Sequence, residues 1–172
     1  MKFLYSLALL FLSSAVVAQS AQSYVLGAGD KVEIKVFGQP DLEVTAFLGN
    51  SGEINYPFLG KVKLSGLNTS QVEQVITQGL KPDYLVNPNV YVQVVEYRPF
   101  YIHGEVKDPG AYPYQPAMTV NQAIALAGGL TERASTEKIY IYKEQTKQQQ
   151  RKGGLNSQIA AGDTIKIEQR LF

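Results

Sequence analysis

The sequence predicts an α+β fold built as two small domains. Three observations predict it. Each half reads as alternating strands, one short capped helix, and strands again. The pattern stops at Arg98-Pro99 and restarts. The stretches AGDKVEI (28–34) and AGDTIKI (161–167) set the same Gly-Asp turn before a strand in each half. Glycine tolerates positive φ, and aspartate bonds the backbone two residues on, so Gly-Asp is a natural strand entry. A dinucleotide loop is excluded, because position 32 is Val rather than a third glycine and a strand follows instead of a helix.

In KVEIKVF (31–37), Val32, Ile34 and Val36 alternate with Lys31, Glu33 and Lys35, the period of a half-buried strand. Shorter strands are expected at 43–48 and 53–56, around the turn Gly49-Asn50-Ser51-Gly52, and at 61–64 after the Pro57/Gly60 turn. A helix follows in NTSQVEQVITQGL (68–80), with Val72, Val75, Ile76 and Leu80 on one face. Its cap is either Asn68 with Gln71 or Ser70 with Glu73, and Gly79 and Pro82 end it. NVYVQVVEY (89–97) alternates again.

Past Arg98-Pro99 a strand is expected at 100–106 and a turn at Asp108-Pro109-Gly110. A helix capped by Thr119 with Gln122 buries Val120, Ala123, Ile124 and Ala127, and Gly128-Gly129 stops it. KIYIY (138–142) is a strand, 145–151 a Gln-rich hairpin loop, and 163–168 the last strand.

Residues 1–18 have the plan of a secretory signal peptide: Lys2, an apolar run, then small residues ending at Ala18. The apolar run is too short, and too rich in serine, for a membrane span of roughly 20 residues. Cleavage there removes Lys2 and brings the 16 basic residues level with the 15 acidic ones. A neutral chain gives no electrostatic reason to expect nucleic acid or an anionic membrane as partner. With no cysteine, disulfides, thiolate metal sites and a lipidated N-terminal cysteine are all excluded.

Residues 24–97 carry YVLGAGDKVEIKVFGQPDLE, GEINYPFLGKVKLSGLN and YLVNPNVYVQVVEY. In these stretches the chain resembles the polysaccharide export domain of the Wza-like outer-membrane exporters. Ser51-Gly52 stands where that family usually has Asp-Gly, and Asn68 where it has Ser or Thr; both keep turn or cap chemistry. FYIHGEVKDPGAYPY, TVNQAIALAGGLTERAS, KIYIY and AGDTIKI resemble the soluble-ligand-binding β-grasp (SLBB) domain that follows it. The resemblance implies a signal peptide at 1–18, a mixed-sheet export domain at 22–97 and a ubiquitin-like β-grasp SLBB domain at 98–172.

It also implies a job: a non-catalytic periplasmic conduit for capsular, exo- or biofilm polysaccharide, without cofactor. The partners it implies are the polysaccharide chain, an inner-membrane polysaccharide co-polymerase and further copies in a homo-oligomeric ring. The family's lipidated cysteine, further β-grasp repeats and pore helix have no match in this sequence. The expectation is therefore a ring or adaptor peripheral to the outer membrane, docked under a separate outer-membrane β-barrel. The competing readings are a glycan- or peptidoglycan-binding adaptor and a glycan-modifying enzyme. The enzyme would need two carboxylates in one cleft, and the acids here mostly occupy strand, cap or turn positions.

Among single residues, His103 has no second histidine and no GxSxG elbow to work with, so it reads as a strand side chain. Seven tyrosines, at 91, 97, 101, 112, 114, 140 and 142, lie in or beside strands, where tyrosine is common. Aromatic faces also stack on sugars, and Tyr140 and Tyr142 share a face opposite Ile139 and Ile141, which makes them the glycan-contact candidates. Pro109-Gly110 are turn formers, and Glu105 is left open as a contact between protomers.

Overall fold

The computed structural model describes residues 24–144 and 150–170. The expected signal peptide and positions 145–149 of the Gln-rich loop lie outside the described residues. The described residues bury two separate apolar clusters, one in each half.

In the first half, β1 (Lys31–Val36) is the centre of a three-stranded sheet, flanked by β2 (Val44–Phe47) and β5 (Val90–Glu96). The alternation works as read: Val32, Ile34 and Val36 are buried. A 3₁₀ turn at Pro40–Leu42, which no periodicity marks, leads into β2 and buries Leu42. β3 (Glu53–Tyr56) and β4 (Gly60–Lys63) form a hairpin.

Helix α1 (Thr69–Leu80) uses the first of the two caps. The Asn68 side chain accepts from the Gln71 N–H at 2.9 Å, and the Gln71 side chain accepts from the Asn68 N–H at 2.9 Å. Val72, Ile76 and Leu80 are buried, but Val75 is not, because the i, i+4 stripe alone meets the core. Gly79 does not end the helix. It lies inside, where a Cβ would come within 2.7 Å of Leu59, so its role is close packing. The helix stops at Lys81, which is extended ahead of Pro82. From α1, Glu73 accepts a hydrogen bond from the Val92 N–H at 3.0 Å, occupying a donor of the edge strand β5.

The second half holds β6 (Phe100–Gly104), β7 (Gly110–Tyr112), α2 (Val120–Leu126), β8 (Ala134–Tyr142), β9 (Gln150–Gly153) and β10 (Thr164–Gln169). The strand order is β7-β6-β10-β8-β9, with β10 parallel to β6 and antiparallel to β8. Counted from the domain's own first strand the order is 2-1-5-3-4, the β-grasp arrangement. The α+β class and the two domains are as expected. The parallel pairing that makes a sheet mixed lies in this second domain, whereas the described strands of the first pair only antiparallel. Parallel neighbours need a long crossover, and α2 with the β8–β9 hairpin supplies it.

α2 carries the expected Thr119–Gln122 capping box, Val120, Ala123, Ile124 and the C-cap Ala127 are buried as expected while Ala125 and Leu126 are exposed, and Gly128 and Gly129 take φ of 74° and 92°. Two short strands differ from expectation. β7 begins where only a turn is legible, and β9 takes in Gln150 and Arg151 of the expected loop. Both are sheet edges with too few residues for a period to show.

Candidate functional site

The two Gly-Asp turns meet. In each, the aspartate reaches three residues back rather than two forward. Asp30 Oδ2 accepts from the Gly27 N–H and Asp163 Oδ2 from the Ala160 N–H, both at 2.8 Å. Gly29 and Gly162 have φ of 93° and 81°, which glycine alone adopts freely. Both carboxylates are buried.

Arg98 lies between the turns. A Cβ on Gly27 would fall 2.7 Å from its Nη1, and one on Gly162 would fall 3.0 Å from its Nε. Arg98 Nη1 donates to Asp30 Oδ2 at 2.7 Å and to the Tyr24 hydroxyl oxygen at 2.7 Å, and its backbone N–H donates to Asp30 Oδ1 at 2.8 Å. Arg98 Nε donates to Glu144 Oε2 at 2.7 Å. Tyr24 donates its own proton to Asp30 Oδ1 at 2.6 Å. Asp163 is answered by Lys143 Nζ at 2.7 Å.

Beside this network, Tyr24, Tyr97 and Tyr114 form an edge-to-face chain with centroids 4.8 and 5.7 Å apart. Burial, then the hydrogen bond it gives to Asp30, pushes the Tyr24 hydroxyl well above its ordinary range. Burial alone would make Arg98 less basic, but the Asp30 charge, with Tyr24 and Glu144, outweighs it and raises the guanidinium. The junction is thus an ion-paired and aromatic joint.

The outer face of the five-stranded sheet is different. Ile139 and Ile141 are fully buried, which turns Tyr140 and Tyr142 outward, as their spacing predicts. Register sets Tyr101, Thr164, Tyr142 and Gln150 in one row, and His103, Lys166, Tyr140 and Lys152 in the next. His103 is an exposed strand side chain there. Between this face and the junction lies an open cleft of about 390 Å³, lined by His103, Tyr142, Lys143, Glu144, Gly162, Thr164 and Lys166. Tyr142 donates its hydroxyl proton to Gln150 Oε1 at 3.0 Å. Lys166 pairs with Glu168 at 2.9 Å.

The other tyrosines divide. Tyr97 and Tyr114 belong to the joint, Tyr112 stacks on Phe100, and Tyr91 is exposed on β5. Glu105 accepts a hydrogen bond from the Thr131 hydroxyl, so it has a partner within its own domain. Sequence reasoning singled out neither Arg98 nor Glu144 as a pair. The one available signal was an arginine placed at the break in the pattern.

Two family models match the chain. One, described as polysaccharide biosynthesis/export protein, covers residues 18–95, and the other, the SLBB domain, covers 99–169. The exopolysaccharide production protein ExoF of Rhizobium meliloti is 32% identical over 96% of this chain and 45% of its own length. The polysialic acid transport protein KpsD of Escherichia coli is 29% identical over 69% of this chain and 22% of its own length. The EPS I polysaccharide export outer membrane protein EpsA of Ralstonia nicotianae is 26% identical over 87% of this chain and 48% of its own length. The chain belongs to the polysaccharide export family.

It spans less than half the length of each of these relatives. Arg98 falls between the two matched segments, so the joint sits at the seam of the export domain and the SLBB domain. The SLBB motif residues have evident physical roles. Gly104 has φ of 94°, and a Cβ there would meet the Ile167 carbonyl oxygen at 2.1 Å. Lys107 and Asp108 donate their N–H groups to the carbonyls of Gly129 and Ala127, fastening the GEVKDPG segment to the AGG stop. Among the described residues no helix is long and apolar enough to cross a membrane.

Proposed function

We propose that the chain works in polysaccharide export as a non-catalytic periplasmic component, a ring or adaptor whose SLBB sheet face touches the passing glycan at Tyr140 and Tyr142. The observation that carries this reading is the export domain followed by the SLBB domain, in family order, along nearly the whole chain. The named relatives act in exopolysaccharide production, polysialic acid transport and polysaccharide export at the outer membrane. The face that holds both tyrosines is open and polar, and it offers rings for stacking with hydroxyl and ammonium donors beside them. On this reading the export domain meets an inner-membrane co-polymerase and a separate outer-membrane β-barrel supplies the passage.

The test is the fate of the polymer in a strain lacking the gene, measured as amount and chain length in periplasm and medium. Full-length polymer trapped inside, or synthesis stopped with none outside, supports export. Normal secretion with altered chain length would mean the protein trims or modifies the glycan, and the non-catalytic reading would fall.

A further inference from the structure

Resting on the reading that glycan runs along this face, we propose that the cleft at Tyr142 selects an acidic sugar, so that the polymer carried is a carboxylated polysaccharide rather than a neutral one. The cleft brings two ammonium groups, Lys143 and Lys166, and the imidazole of His103 around one tyrosine ring and the Thr164 hydroxyl. Among the described residues its one lining carboxylate, Glu144, is already held by Arg98 Nε at 2.7 Å, and Glu168 on the same strand face is held by Lys166 at 2.9 Å. Asp163, which holds Lys143, is buried and does not line the cleft.

Each ammonium carries three donors. Lys143 is seen giving one to Asp163 and Lys166 one to Glu168, and both side chains stay about 40% exposed, at 41% and 39%. Lys152 adds a further cation beside Tyr140 in the neighbouring row. A neutral sugar would meet the ring but leave these donors to water. A uronic acid stacks its apolar face on Tyr142 and sets its carboxylate among them, in charge-assisted hydrogen bonds roughly twice as strong as neutral ones. The cleft's volume of about 390 Å³ is ample for one sugar unit, within the roughly 300–1,000 Å³ of small-ligand sites.

The experiment titrates the purified chain with hexameric oligogalacturonate and, separately, with neutral maltohexaose. Oligogalacturonate is expected to bind about tenfold more tightly. That preference should shrink when NaCl rises from about 50 mM to about 500 mM, because the lysines are exposed enough to be screened. Lys166→Gln removes an exposed charge without touching the core. It should lower oligogalacturonate affinity by about fivefold and leave maltohexaose binding unchanged. Tyr142→Ala should weaken both.

Equal binding of the two probes, lost in Tyr142→Ala and untouched by Lys166→Gln, overturns acidic selection and leaves the glycan-contact reading standing. No binding of either probe overturns both. Oligogalacturonate binding that survives both substitutions places the site elsewhere and also overturns the proposal.

Discussion

Tyr56 shows how one residue ties burial to pH. It is 2% exposed, donates to the Leu42 carbonyl at 2.8 Å, and burial pushes its hydroxyl up to about 12 from the usual 10.0. Between those values the unfolded chain has lost this proton while the folded chain keeps it. The folded state then binds more protons, and stability falls as pH rises. The contribution is fully present below pH 10 and is lost as pH passes through about 12. The loss across that window amounts to about 2–3 kcal/mol, at 1.36 kcal/mol per pKa unit, because burial penalises the phenolate. Tyr56→Phe should cost about 1 kcal/mol at neutral pH through the lost hydrogen bond. It should also show a shallower fall in urea-denaturation stability from about pH 9 to about pH 11.5; slopes identical to wild type would refute the account. At the joint the logic is charge rather than proton. Arg98→Ala leaves Asp30 buried without its ion partner, and removing one member of such a pair costs about 3–5 kcal/mol. Glu144→Ala removes a partner that is 38% exposed and should cost under about 1 kcal/mol. Equal losses by denaturation in the two variants would mean the Asp30 pair is not what stabilises the joint.

At the scale of elements, the two helices begin in the same way. Asn68–Gln71 and Thr119–Gln122 each satisfy two backbone donors reciprocally. Asn68→Ala and Thr119→Ala are each expected to lower stability by about 1 kcal/mol, read from the denaturation midpoint at constant slope; no change in either would show that the cap is replaced by water at no cost. Thr119–Gln122 was legible in the sequence, and Asn68–Gln71 as one of two alternatives, because everything these caps use lies within four residues. The strands with a period of two and a buried face were legible for the same reason, from Val32–Ile34–Val36 to Ile139–Ile141. What failed to show were the short edges β7 and β9, and Val75, whose exposure depends on how wide a stripe the core accepts. The outward pair Tyr140 and Tyr142 was readable from alternation alone. Their companions Tyr101, His103, Thr164 and Lys166 were not, because register between distant strands sets those rows.

For the whole molecule, the repeated Gly-Asp turn is more than a convenient strand entry. Its two copies come from opposite ends of the chain, and only folding brings them to either side of Arg98. They join the export and SLBB domains through two links: the Asp30–Arg98–Glu144 ion chain and the Tyr24–Tyr97–Tyr114 rings. On the proposed export role, this joint would keep the sheet face at a fixed bearing to the export domain. The prediction concerns tumbling. In wild type, amide ¹⁵N relaxation should give both domains one shared correlation time. Glu144→Ala combined with Tyr114→Ala cuts the side-chain links on the SLBB side while Arg98 stays on Asp30, so the export core is left intact. In that variant the two domains should separate into shorter, unequal correlation times, with each domain's own amide shifts preserved away from the seam. If the double variant still tumbles as one body, the bonds that Arg98 gives to Asp30 and Tyr24 suffice to hold the domains. The Glu144 and Tyr114 links would then serve local stability, and the fixed bearing of the SLBB sheet face would have to be credited to Arg98 alone.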